Sequence, residues 1–132
     1  MRGDKGAIDT DSKEVYQFLE SSMEYTSECA ISSEPAFSKI GELVRDCHEG
    51  RICFSGREAC EVLNSTMIGI LDTSWNVGSD NGEFYYKGYE FESVYDDEEI
   101  IIEIDKGNCE GSFIGAEYPI PRDITSSFKL CF

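Results

Sequence analysis

The spacing of apolar positions changes once along the chain, near Thr66, and the predicted elements change with it. Val15, Phe18, Leu19 and Met23 recur at the spacing of a helix face, which predicts a helix from about Ser12 to Tyr25. Asp11 followed by Glu14 resembles a capping box at its start. Residues 1–10 are polar and read as a frayed start. A link through Cys29, Ala30 and Ile31 leads to a second helix, with Ser33 as cap and Pro35 in its first turn. Its stripe is Phe37, Ile40, Leu43, Val44 and Cys47, and Gly50 can end it. Ser55 to Glu58 repeats the capping-box pattern before a short helix carrying Ala59, Cys60, Val62 and Leu63.

From Thr66 onward the pattern reads as strands. Thr66 to Leu71 is a compact apolar run that fits a buried strand, and Trp75 to Gly82 is a loop rich in Asn, Gly, Ser and Asp. Two strands surround Asp96-Asp97, a short one covers Ser112 to Gly115, and Ser127 to Phe132 closes the chain. Helices first and strands afterwards predict an α+β fold, N-terminal helices packed on a C-terminal antiparallel sheet, as a single domain over 1–132. Phe18, Phe37, Leu43, Phe91, Ile102 and Ile104 are the expected shared core.

The hairpin carries most of the information. With Asp96-Asp97 as the turn, Tyr89 faces Ile104, Phe91 faces Ile102 and Ser93 faces Ile100, an apolar face suited to cover helices. The other face sets Glu90 opposite Glu103, Glu92 opposite Ile101 and Val94 opposite Glu99. A register moved by two keeps the same faces and sets Glu92 opposite Glu103. A slip of one would bury the acids and is selected against.

Charge sharpens this picture. The chain has 132 residues with 27 Asp and Glu against 11 Lys and Arg, a net charge of −16. Small domains usually carry a magnitude of about 2–8. Binding to nucleic acid or to an anionic membrane is therefore not expected, and a basic protein partner is favoured. The segment from Asp80 to Asp105 holds 10 acids and the single base Lys87, yet also six aromatic residues, so it is acidic and folded at once. Like charges opposite one another on a sheet cost up to about 1 kcal/mol. Glu90, Glu92, Glu99 and Glu103, with Asp96, Asp97 and Glu98 at the tip, are thus candidate partner-binding residues, and Tyr86 is a candidate aromatic anchor. Charged edges also resist pairing with other chains, but lysine would serve that end equally.

The remaining chemistry narrows by exclusion. The six cysteines could form three disulfides in any of about 15 connectivities. Cys60 in a helix interior and Cys131 in an apolar strand favour free, buried thiols, and no apolar stretch follows the polar N-terminus as an export signal would. The expectation is reduced thiols and a cytoplasmic protein. Cys47 is expected to face the core and its neighbour His48 to face water. There is one histidine and no C-x-x-C pair, and Asp72 to Glu83 lacks the order of a calcium loop, so no metal is expected. No phosphate-binding loop or serine elbow is present, and no carboxylate pair is singled out. No catalytic residue and no cofactor are assigned, and the chain is read as a non-enzyme.

In size, acidity and the Glu90–Asp105 cluster with Tyr85, Tyr86 and Tyr95 interleaved, the chain resembles the small acidic immunity proteins of bacterial toxin–immunity pairs, including the contact-dependent growth inhibition class. The resemblance implies a non-catalytic inhibitor of a basic toxin, often a nuclease, masking its active site or an exosite. The alternative is a regulatory or adaptor domain, or nucleic-acid mimic, that binds a basic peptide or a nucleic-acid-binding protein. A small enzyme whose site the sequence does not display is a third class.

Overall fold

The computed structural model describes residues 12–31, 36–75, 77 and 86–132. The frayed start, Asp11, the Ser33 cap with Pro35, Tyr85 and most of the loop after Trp75 lie outside the described residues. The architecture is α+β. Among the described residues three helices, α1 (Ser12–Met23), α2 (Ile40–His48) and α3 (Ala59–Ser74), cover one face of an antiparallel sheet. That sheet holds β3 (Gly88–Tyr95), β4 (Glu99–Gly107), β5 (Phe113–Ile120) and β6 (Ile124–Cys131) in the order β4-β3-β6-β5. A small hairpin of β1 (Thr26–Ala30) and β2 (Phe37–Lys39) sits beside the helices.

Three sequence expectations change here. The short strand expected over Ser112 to Gly115 runs on as β5 to Ile120. The run from Thr66 to Leu71 is helix, not strand: α3 continues through it. Its buried positions Ala59, Val62, Leu63, Met67 and Leu71 form one helical stripe, and the intervening Ile68 points outward. Phe37 and its neighbours form a strand, so the second helix starts only at Ile40. There the Glu42 carboxylate accepts from the Lys39 N–H at 3.0 Å. Phe37 is consequently 54% exposed rather than in the core, while Phe18 packs against the core half-buried.

The core fills the space between the helices and the inner sheet face. Val15 and Leu19 of α1, Leu43 and Val44 of α2 and Leu63, Met67 and Leu71 of α3 are fully buried, as are Phe91, Phe128 and Leu130 from the sheet. Ile102 and Ile104 join them. At the centre of the sheet, Ser93 and Ser126 are buried and share a hydroxyl–hydroxyl hydrogen bond of 2.7 Å, so neither is left unsatisfied. Phe18, Trp75 and Phe128 form an aromatic cluster where α1 meets the end of α3.

All six cysteines are paired, which corrects the expectation of free thiols. Cys29 joins Cys53, Cys47 joins Cys60, and Cys109 joins Cys131. The bonds tie β1 to the loop before α3, the last turn of α2 to the first turn of α3, and the β4–β5 loop to the end of β6. A helix-interior or apolar-strand cysteine is buried equally well as a thiol or as half of a disulfide. The local pattern could not distinguish the two. Cys47 is buried as expected, but His48 is half-buried and stacks on Tyr95 at 4.3 Å.

Two substitutions test this packing. Gly69 lies inside α3 with open space where a Cβ would stand, and glycine in a helix interior costs about 1 kcal/mol relative to alanine. Gly69→Ala is therefore expected to raise stability by about 0.5–1 kcal/mol in denaturant titration. Unchanged or lowered stability would show that α3 does not run through this position. The second concerns Asp46, which is buried and is approached by the Ser38 hydroxyl at 3.4 Å and by Arg51 at 4.0 Å. Burial outweighs the attraction of Arg51 and raises its pKa. The native state then holds this proton more tightly than the unfolded chain does. Stability from Asp46 is present below the ordinary carboxylate range and is lost as pH rises through the raised value. Asp46→Asn should stabilise at pH 7, and the difference should vanish or reverse near pH 3. An equal effect at both pH values would show that charge plays no part.

Candidate functional site

The outer face of the four-stranded sheet, opposite the helices, is where the hairpin acids collect. The β3–β4 register is the one shifted by two: Glu92 pairs with Glu103, Glu90 with Asp105, and Phe91 and Ser93 with Ile104 and Ile102. Three backbone hydrogen bonds fix the phase of the ladders. Asn108 N–H donates to Lys87 O, Asp96 N–H to Asp123 O, and Phe132 N–H to Ser112 O, each continuing the register of its strand pair. Bonding alternates along an antiparallel pair, so Phe91–Ile104 and Ser93–Ile102 exchange backbone bonds while Glu92–Glu103 and Glu90–Asp105 do not. Side chains stand closer in non-bonded pairs. The acids therefore oppose one another at the tighter kind of position.

A bulge then changes the composition of the face. Between Ser93 and Val94 the partner on β4 jumps from Ile102 to Ile100, and Tyr95 pairs with Glu99. The extra residue reverses the alternation of β4 toward the turn. Glu99 is thereby turned off the acidic face, and its carboxylate lies 3.8 Å from His48 Nδ1 on the helical side. Ile100 takes the outward position and is 53% exposed.

The other predicted site residues fall in two places. Asp96 and Asp97, both at positive φ (55° and 59°), are the central residues of a tight turn closed by Glu98 N–H donating to Tyr95 O at 3.1 Å. With Glu98 they form an exposed tip at the end of the face. Tyr86 is at the other end of β3, in aromatic contact with Trp75 and Phe132 at 5.4 and 5.7 Å, and does not join the acids.

Four residues that complete the face were not singled out from sequence. Asp105 belongs to it by the same alternation as Glu103. Glu117, Phe113 and Lys129 come from β5 and β6, and only the strand order brings them there. Glu90 is paired across to Lys129, and Glu92 to Ser127, which in turn pairs with Glu117. Lys129 Nζ lies 3.9 Å from the Glu90 carboxylate and 4.8 Å from the centre of the Phe113 ring. A depression of about 150 Å³ is lined by Glu90, Glu92, Glu103, Asp105, Ser127 and Lys129. Among the described residues, the result is a face of carboxylates with one internal cation and one exposed aromatic ring, Phe113.

Away from this face, a carboxylate on α3 is tied into the fold. Asp72, at the end of α3, accepts from the Tyr89 hydroxyl at 2.8 Å and from Lys106 Nζ at 3.2 Å. These hydrogen bonds hold its pKa below the usual carboxylate range, while burial and then Asp72 push Tyr89 upward. A larger depression of about 610 Å³, between α1 and α3, is lined by hydroxyls, by Phe18, Tyr25 and Ile70, and by the Glu28 carboxylate. Among the described residues, no three of His, Cys, Asp and Glu are grouped to hold a metal ion. No helix among them is long and apolar enough to cross a membrane. No family model matches the chain, and no curated protein or solved structure matches it either.

Proposed function

We propose that this chain is an acidic protein-binding module that neutralises a basic protein partner through the outer face of its sheet. One observation carries the reading. Glu90, Glu92, Glu103 and Asp105 are set opposite one another in like-charged, non-bonded pairs, with Lys129 the one cation among them in the described residues. Such pairs are unfavourable in the free protein by up to about 1 kcal/mol each, and a partner's cations would relieve them. The exposed Phe113 ring at the margin supplies an apolar contact beside the charges. This is the behaviour expected of an immunity protein that masks the cationic active site or an exosite of a toxin such as a nuclease.

The setting is revised from the sequence expectation. Complete pairing of six cysteines fits an oxidising compartment better than the cytoplasm, so the partner would be met outside the reducing cytosol. The test is capture from the source material with the wild-type chain and with a variant carrying Glu90→Gln, Glu92→Gln, Glu103→Gln and Asp105→Asn. The expected result is a basic protein retained by wild type alone, whose own activity is inhibited on adding wild-type protein. Equal capture by both chains, or a captured partner without a basic surface, would overturn the proposal.

A further inference from the structure

The acidic face ends at a strand edge, and that edge has its own chemistry. In the order β4-β3-β6-β5, β4 pairs with β3 on one side and with no described strand on the other. The bonding phase shows which backbone groups are turned outward. Ile102, Ile104 and Lys106 are bonded to β3, so the N–H and C=O groups of Glu103 and Asp105 face the open edge. The same two residues present their carboxylates on the outer face. Their neighbours Ile102 and Ile104 point to the opposite, apolar face and retain only 9% and 7% exposure.

An open edge is a template for another strand, and its side chains decide which strand can add. A second copy of β4 would set Glu103 and Asp105 against like charges and is disfavoured. The other edge, β5, has the same phase: Phe113, Gly115, Glu117 and Pro119 face outward, and Pro119 has no N–H to donate. We infer that β4 accepts an extended basic segment as a fifth, antiparallel strand, with Lys or Arg at alternate positions opposite Glu103 and Asp105 and apolar residues between them beside Ile102 and Ile104. Antiparallel addition follows the sheet, which is antiparallel throughout. In that geometry the residues opposite Glu103 and Asp105 exchange backbone bonds with them, so one set of positions supplies both the charge and the hydrogen bonds. This rests on the proposed function and gives it a mode of binding.

The test uses the intact, oxidised chain and three decapeptides of alternating lysine and valine, at about 20 mM and 150 mM salt. One is unmodified, one is N-methylated on the lysines, and one is N-methylated on the valines. The unmodified and valine-methylated peptides should bind alike and slow hydrogen exchange at the Glu103 and Asp105 amides. The lysine-methylated peptide should bind at least about tenfold more weakly, because it lacks the N–H groups aimed at the edge. Equal affinity for both methylated peptides, or unchanged exchange at Glu103 and Asp105, would overturn strand addition. If strand addition is overturned in this way but polylysine still binds at low salt, the acidic face keeps its role without the edge. If neither the peptides nor polylysine bind at low salt, the strand-addition mode and the proposed function both fall.

Discussion

Reduction of the three disulfides is expected to unfold the chain, or nearly so, at 37 °C. Each bond closes a sizeable loop, with partners 24, 13 and 22 residues apart. Constraining the unfolded chain over loops of this size contributes roughly 3 kcal/mol each, and loss of a native disulfide typically costs about 2–5 kcal/mol. The whole stability of a domain is about 5–15 kcal/mol, so losing all three removes most or all of it. Paired Cys→Ala replacements separate the contributions. Removing Cys47–Cys60 should loosen α2 against α3, and removing Cys109–Cys131 should free the end of β6 from the β4–β5 loop. Far-ultraviolet circular dichroism during denaturant titration, with and without reductant, measures the effect. A midpoint unmoved by reductant would show that the bonds do not form in the native protein, and the case for an oxidising compartment would go with them.

The cysteines mark where sequence reasoning runs out. Burial of Cys60 and Cys131 followed from their apolar neighbours, but pairing depends on which elements meet in space. Cys47 and Cys60 approach only because α2 and α3 are joined by a loop that folds back on itself. The hairpin was legible for the opposite reason. Strict alternation from Tyr89 to Ser93 and from Ile102 to Asp105 assigns each side chain to a face whatever the fold around it. The bulge near Ile101 is invisible to that logic, because one extra residue preserves the composition while reversing alternation, and alternation alone therefore puts Glu99 on the wrong face. The helix through Thr66 to Leu71 was hidden by Ile68 and Ile70, which fill in a stripe that Met67 and Leu71 would otherwise display. The short β1–β2 pair left no periodic signal, since its strands are only 5 and 3 residues long. Lys129 and Glu117 required the strand order, which pairs β6 with β3 and could not be read from their own segments.

Neutralising the acidic face should separate folding from binding. In the variant with Glu90→Gln, Glu92→Gln, Glu103→Gln and Asp105→Asn, shape is kept and four charges are removed. The free protein should be unchanged or more stable by a few tenths of a kcal/mol up to about 1 kcal/mol per relieved pair. The loss of the Glu90 contact to Lys129 offsets little of this, because both groups are about half exposed and such pairs contribute weakly. Association with a basic partner should slow by about 10- to 100-fold at low salt, since charge acts mainly on the rate of encounter. The difference should shrink toward 1 M salt, where the screening length falls from about 10 Å to about 3 Å. Glu99→Gln is the internal control. It also removes one carboxylate from the hairpin, but its side chain is beside His48 and away from the acidic face. It should leave the association rate close to wild type. Stopped-flow or surface-binding kinetics over a salt series reads both variants. A fourfold variant that associates as fast as wild type would assign the acids to solubility. An effect of Glu99→Gln as large as that of its outward-facing neighbours would mean that net charge, not this face, draws the partner in.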